Sequence, residues 1–212
     1  MLSSLRHRLG NALGLKVVDD LRTLLFTGCY FVLVAALWFT WKPLGAVISS
    51  GASMTLGSMA WLALYVTGWL WLCHFSFLAA VATHNSIHCP IFRWKAANKA
   101  FQVVLSLAYG HPVTSYVPGH NLSHHKYTQQ RKDVMRTTKV RYSWHLLNGI
   151  VFFFKIGIDM IANDAGYFAL QRKMNRPIVK QLELEQYILW SVTALLVIWV
   201  SSNAGHAMGE GE

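Results

Sequence analysis

Three apolar stretches without a single Asp, Glu, Lys or Arg constrain this chain more than any other feature: residues 23–41 (19 residues), 43–92 (50 residues) and 186–209 (24 residues). A helix needs roughly 20 apolar residues to cross a hydrocarbon core, so each run is long enough. Of the 212 residues, 54% are apolar and 13% charged, whereas a soluble domain carries about 25% charged residues. A soluble globule is thereby excluded. The chain is expected to be an all-α membrane protein, a single membrane-embedded domain over residues 1–212. A helical hairpin spans about residues 23–41 and 59–83, and a third transmembrane helix spans about 186–204. A polar helical region of about 84–185, cytosolic or interfacial, lies between them.

Charge supplies the orientation. There are 19 basic and 9 acidic residues, a net +10. Arg6, Arg8, Lys16 and Arg22 precede the first run, 14 more basic residues lie from Arg93 to Lys180, and only Lys42 falls between the first two spans. That is the positive-inside pattern rather than a nucleic-acid stripe, and it places the N-terminus and residues 84–185 in the cytosol. Residues 1–22, with Leu2, Leu5, Leu9, Leu13 and Leu15, suit a membrane surface. The first apolar run is too long and too far along for a signal peptide. Trp38, Trp41 and Lys42 are interface residues, and residues 43–58, rich in Gly, Ser and Ala, form the external turn or a shallow re-entrant piece. In residues 142–170 the uncharged run is 13 residues and is followed by Lys155 and Asp159, so an interfacial amphipathic helix is expected there, with Phe152, Phe153 and Phe154 on its buried side. Cys29, Cys73 and Cys89 form no CxxC pair and serve packing.

Five of the ten histidines fall in two clusters, His84-Asn-Ser-Ile-His88 and His120-Asn-Leu-Ser-His124-His125. Residues four apart on an α-helix are offset by about 40° and 6 Å, so His84/His88 and His120/His124 each read as a metal clip. His125 would point about 100° away from His124, toward a second ion or another edge of the cage. His111 is a candidate additional ligand or supporting donor, or a loop residue. His145 reads as an interface anchor, His74 as a hydrogen-bonded core histidine, and His7 and His206 as solvated. Asn85 and Asn121 stand where a zinc protease of HExxH type carries its glutamate, which disfavours peptide hydrolysis. ExxH pairs, the mark of soluble di-iron bundles, are missing too. Imidazoles alone suit iron, copper, nickel or zinc.

At His84-Asn-Ser-Ile-His88 and Gly119-His120-Asn-Leu-Ser-His124-His125-Lys-Tyr-Thr-Gln129 the chain resembles the membrane fatty acid desaturase/hydroxylase superfamily. Its members are four-helix membrane proteins with three cytosolic histidine boxes around two irons. The resemblance implies that His84, His88, His120, His124 and His125 are iron ligands, that the substrate is a fatty acyl lipid, and that two irons activate oxygen for desaturation or hydroxylation. It also implies an external electron donor such as ferredoxin or cytochrome b5, for which Arg131, Lys132, Arg136, Lys139 and Arg141 offer a basic surface; anionic lipid headgroups are the alternative partner. No fused cytochrome b5 is expected, since His111-Pro-Val-Thr is not its haem motif. The family's third box, HxxHH, has no counterpart here, and with three crossings His206 would lie across the membrane from the boxes. The chain is therefore expected to be interrupted before a fourth crossing and a third box, and to be inactive alone.

Two functions of other classes compete. A metal transporter would carry its histidines near the midplane of the spans, where only His74 lies. A haem-binding subunit would want single histidines on facing spans rather than clips.

Overall fold

The uncharged runs become long helices in a computed structural model, which describes residues 2–49, 55–140 and 145–209. Chain order is α1 (Leu2–Ala12), α2 (Leu21–Ser49), α3 (Leu56–His88) and α4 (Lys95–Tyr109), then a π-helix (Val117–His124) leading into one turn, α5 (His125–Tyr127), and finally α6 (His145–Lys173) and α7 (Pro177–Gly209). Among the described residues there is no sheet, only an isolated bridge between Leu15 and Phe92. Residues 50–54 of the expected external turn, Arg141 and Trp144 lie outside the described residues, as do the side chains of Trp41, Lys42, His145 and His206.

Two compact units divide the chain at Tyr109 and Gly110. In the first, α2 continues beyond residue 41 to Ser49, and α3 starts at Leu56 under a cap in which Thr55 Oγ1 accepts from the Ser58 N–H at 3.2 Å. The two helices form the expected hairpin. Gly68 lets them approach: a Cβ there would lie 2.8 Å from Leu37 Cδ2. α4 is one-sided, burying Phe101, Leu105 and Ala108, and Ser76 Oγ of α3 donates to the Ala108 carbonyl at 3.2 Å. The N-terminal segment is tied to the chain just beyond α3, with Lys16 N–H on Ile91 O at 2.8 Å and Arg93 N–H on Gly14 O at 2.9 Å. Leu5, Leu9 and Leu13 face outward as a membrane-surface helix requires, but Leu15 is buried beneath this clamp.

In the second unit Phe168 of α6 packs with Val179 and Leu182 of α7, joined by Tyr167 and Ile178. Asp159 of α6 pairs with Lys139 Nζ at 2.5 Å, and Lys139 also donates to Val134 O at 2.6 Å.

Among the described residues, four helices are long and apolar enough to cross a membrane: Val18–Thr40, Leu56–His88, Leu146–Lys173 and Pro177–Ser202. Their outward faces are apolar, with Phe39, Leu64, Ile161 and Leu195 all more than 60% exposed, as suits lipid rather than water. Three spans are expected from the charge-free runs. The difference is α6, where Lys155 and Asp159 do not interrupt the helix and the apolar run resumes beyond them. With an even number of candidate spans, the expectation that His206 lies across the membrane from the boxes loses its basis. α3, at 33 residues, is about 50 Å long, so it can cross a core of about 30 Å and still project its last turns beyond it.

Candidate metal centre

The first clip forms those last turns. His84 and His88 sit one turn apart at the end of α3, ring centroids 5.1 Å apart, with ligand nitrogens within 4.8 Å of each other. His84 is half-buried and His88 exposed. The helix closes where Cys89 N–H donates to Asn85 O at 2.8 Å. The chain is then fixed by Asn98, whose Oδ1 accepts from Phe92 N–H at 3.0 Å while its Nδ2 donates to Phe92 O at 2.8 Å and Trp94 O at 2.9 Å. Both imidazoles are thus carried on a regular helix with an anchored exit, as their spacing predicts.

The second cluster departs from expectation. Val117–His124 is a π-helix, and His125 N–H donates to His120 O, five residues back. Hydrogen bonds closed at this wider spacing bring His125, not His124, opposite His120. Their Nε2 atoms are 3.0 Å apart and their rings 4.6 Å apart, nearly perpendicular. The pair expected from α-helical geometry, His120 and His124, has its rings stacked at 5.7 Å instead. His125 therefore stands against His120 instead of being turned away from the pair. The π-helix lies close on α6 at Gly119, where an added Cβ would run into Met160 Sδ.

His124 has a different partner. Its Nδ1 is 2.9 Å from Oδ2 of Asp133, a carboxylate fully excluded from solvent. Gln129 N–H donates to Oδ2 and Met135 N–H to Oδ1, each at 2.8 Å. Burial pushes the Asp133 carboxyl up, but those two N–H groups and the His124 imidazole outweigh it and hold it below its ordinary value. A carboxylate in this position orients the His124 ring through Nδ1, as the partners of metal-binding histidines do.

The remaining histidines are placed as follows. His111 is exposed, its Nδ1 2.9 Å from Ser115 Oγ, and it does not join the His120–His125 pair. His74 is exposed on α3 rather than in a core, its ring edge-on to Trp71 at 5.6 Å. His7 is exposed as expected. Of the basic surface, Arg131 and Lys132 face solvent, while Lys139 is committed to Asp159 and Arg136 Nη1 donates to Arg131 O at 2.7 Å.

Two carboxylates went unnoticed in the sequence. Asp133 carried a signal: it is the only acidic residue between Asp20 and Asp159, in a strongly basic stretch. Glu185 of α7 carried none, yet it is fully buried and binds Thr114 through both its N–H at 2.8 Å and its hydroxyl at 2.7 Å.

Residues 59–210 match the family model described as fatty acid desaturase. No curated protein matches the chain, and no solved structure does. The matched stretch covers more than two thirds of the chain and contains both histidine clusters, all but the first turn of Leu56–His88, and the helices Leu146–Lys173 and Pro177–Ser202. The chain belongs to the fatty acid desaturase family.

Proposed function

We propose that this protein is an oxygen-dependent oxidoreductase of fatty acyl chains, a desaturase in lipid metabolism, in which His84, His88, His120, His124 and His125 hold two iron ions on the cytosolic side of the membrane. The observation that carries this reading is the second cluster: two Nε2 atoms 3.0 Å apart beside a histidine oriented by a buried carboxylate. With their Nε2 atoms facing each other, His120 and His125 would hold one first-row metal ion between them. Imidazole donors suit iron, and bound iron supplies the oxygen and redox chemistry that abstraction of hydrogen from an unactivated C–H bond requires.

The chain's own residues do the rest. His120, 6% exposed, keeps its ligand nitrogen in a place from which bulk water is largely excluded, as a reactive site needs. Asp133 orients the His124 ring through Nδ1. The outward apolar faces of the long helices give an acyl chain a route through lipid. Arg131, Lys132 and Lys126 stand exposed near the second clip and would attract an acidic ferredoxin or a cytochrome b5. The cytosolic placement is supported by the charge pattern.

Membranes carrying the protein, loaded anaerobically with Fe(II) and supplied with a reductant and oxygen, test the reading. Iron should co-purify with the chain, and a long-chain acyl lipid should gain a double bond or a hydroxyl group. Replacing His120 and His125 together with alanine should abolish both. Unchanged iron content in that double variant would overturn the assignment of ligands.

A further inference from the structure

Glu185 is the least expected buried group in the molecule. It lies in α7, fully enclosed, and no Lys or Arg pairs with it among the described residues. Oε2 accepts from Thr114 N–H at 2.8 Å, and Oε1 accepts from Thr114 Oγ1 at 2.7 Å and from Gln181 Nε2 at 2.8 Å. Enclosing a carboxylate costs several kcal/mol before its hydrogen bonds are counted, and apolar residues of the same volume commonly serve stability as well or better. What the carboxylate adds is direction. It seizes one residue, Thr114, by main chain and side chain together, in the middle of the tight turn Val113–Ser115.

That turn leads directly into the second clip. Val113, Thr114 and Ser115 are all buried. Ser115 Oγ donates to Pro112 O at 2.7 Å, and two residues on the chain winds into the π-helix that carries His120. The π-helix is locally a poor structure, since the wide ring is rarely adopted for more than a single turn. Something outside it must set where it starts. We propose that Glu185 is a positioning residue for the second histidine clip: by fixing Thr114 to α7 it sets the start of the π-helix, and with it the approach of His125 to His120. It touches neither clip directly and acts only through the turn.

The inference rests on the reading of His120 and His125 as ligands, and its test separates the two. Fe(II) affinity and thermal stability are measured in detergent for the full chain and for Glu185→Gln, Glu185→Ala, Thr114→Val and the double variant Glu185→Leu/Thr114→Val. Glu185→Gln, which can still accept from Thr114 N–H, should bind iron within about 3-fold of the parent chain. Glu185→Ala and Thr114→Val should each weaken binding by about 10-fold or more, in the range of residues that orient ligands. The double variant should recover stability through apolar packing yet still bind weakly. If the parent chain binds no iron, the ligand assignment fails. If it binds iron and folded Glu185→Ala binds it equally well, or if the double variant recovers affinity together with stability, the positioning role is overturned while the ligand assignment stands.

Discussion

Asp133 and His124 form a buried carboxylate–imidazole pair, Oδ2 to Nδ1 at 2.9 Å, nine residues apart in a loop that otherwise carries only positive charge. The same carboxylate closes the loop by accepting the N–H groups of Gln129 and Met135. One side chain thus fixes both the backbone after the second box and the orientation of its middle histidine.

Asp133→Ala is expected to act in two ways. Two main-chain donors lose their acceptor inside the protein, at about 1–3 kcal/mol each, and His124 loses its orientation, at about 10–100-fold in metal affinity. Asp133→Asn keeps an acceptor for one N–H and should be milder in stability, but its neutral amide holds the His124 ring less firmly. Thermal denaturation beside Fe(II) titration checks this. Full metal affinity in folded Asp133→Ala would show that the pair serves the loop alone.

Gly119 is the point where the second box meets α6. An added methyl would run into Met160 Sδ. Because methionine is unbranched and can swing aside, Gly119→Ala should cost about 1 kcal/mol, near the low end for an overpacked site. Gly119→Val should cost more, and Met160→Ala should relieve both. Melting temperatures of the two single variants and their combinations with Met160→Ala measure the coupling, and independent, additive effects would contradict the contact.

Arg131 and Lys132 are the exposed remainder of the basic surface. Reversing both to glutamate should slow reduction by an acidic donor protein at low salt, with the difference shrinking as ionic strength rises. Iron content should stay constant, because neither side chain is among the proposed ligands. Stopped-flow reduction at two salt concentrations provides the check. An equal rate in the reversed variant would place the donor elsewhere.

His74 and His111 provide the contrast to the clips. His74 packs against Trp71 on the exposed side of α3, and His111 is hydrogen-bonded with Ser115. Replacing either with alanine should leave iron content within experimental scatter, whereas His88→Ala or His125→Ala should lower it at least 10-fold, as loss of one arm of a two-imidazole clip implies. Iron analysis of the four purified variants decides between them. A loss at His74 would revive a path for metal through the membrane.

The long helices and the first clip were legible because both depend on local facts. Charge-free length makes a span, and residues 84 and 88 share a face of any α-helix. The second clip was legible in its members but not in its pairing. Nothing in His-Asn-Leu-Ser-His-His announces a π-helix, whose wide turn is sustained by packing against α6 at Gly119 and by the turn held at Thr114. At α6 the 13-residue uncharged run is too short to cross, whereas the helix runs on through Lys155 and Asp159, the latter half of an ion pair with Lys139, 20 residues away. Asp133 and Glu185 act across 9 and 71 residues, and such separations leave no periodic trace.

The most direct measurement is X-ray absorption at the iron edge of the anaerobically loaded full chain, compared with the variant in which His84, His88, His120 and His125 are all alanine. The account predicts a first shell rich in histidine nitrogen, with the outer-shell scattering of imidazole rings, and loss of bound iron in the fourfold variant. A folded fourfold variant that retains the same iron with the same imidazole signature would contradict it.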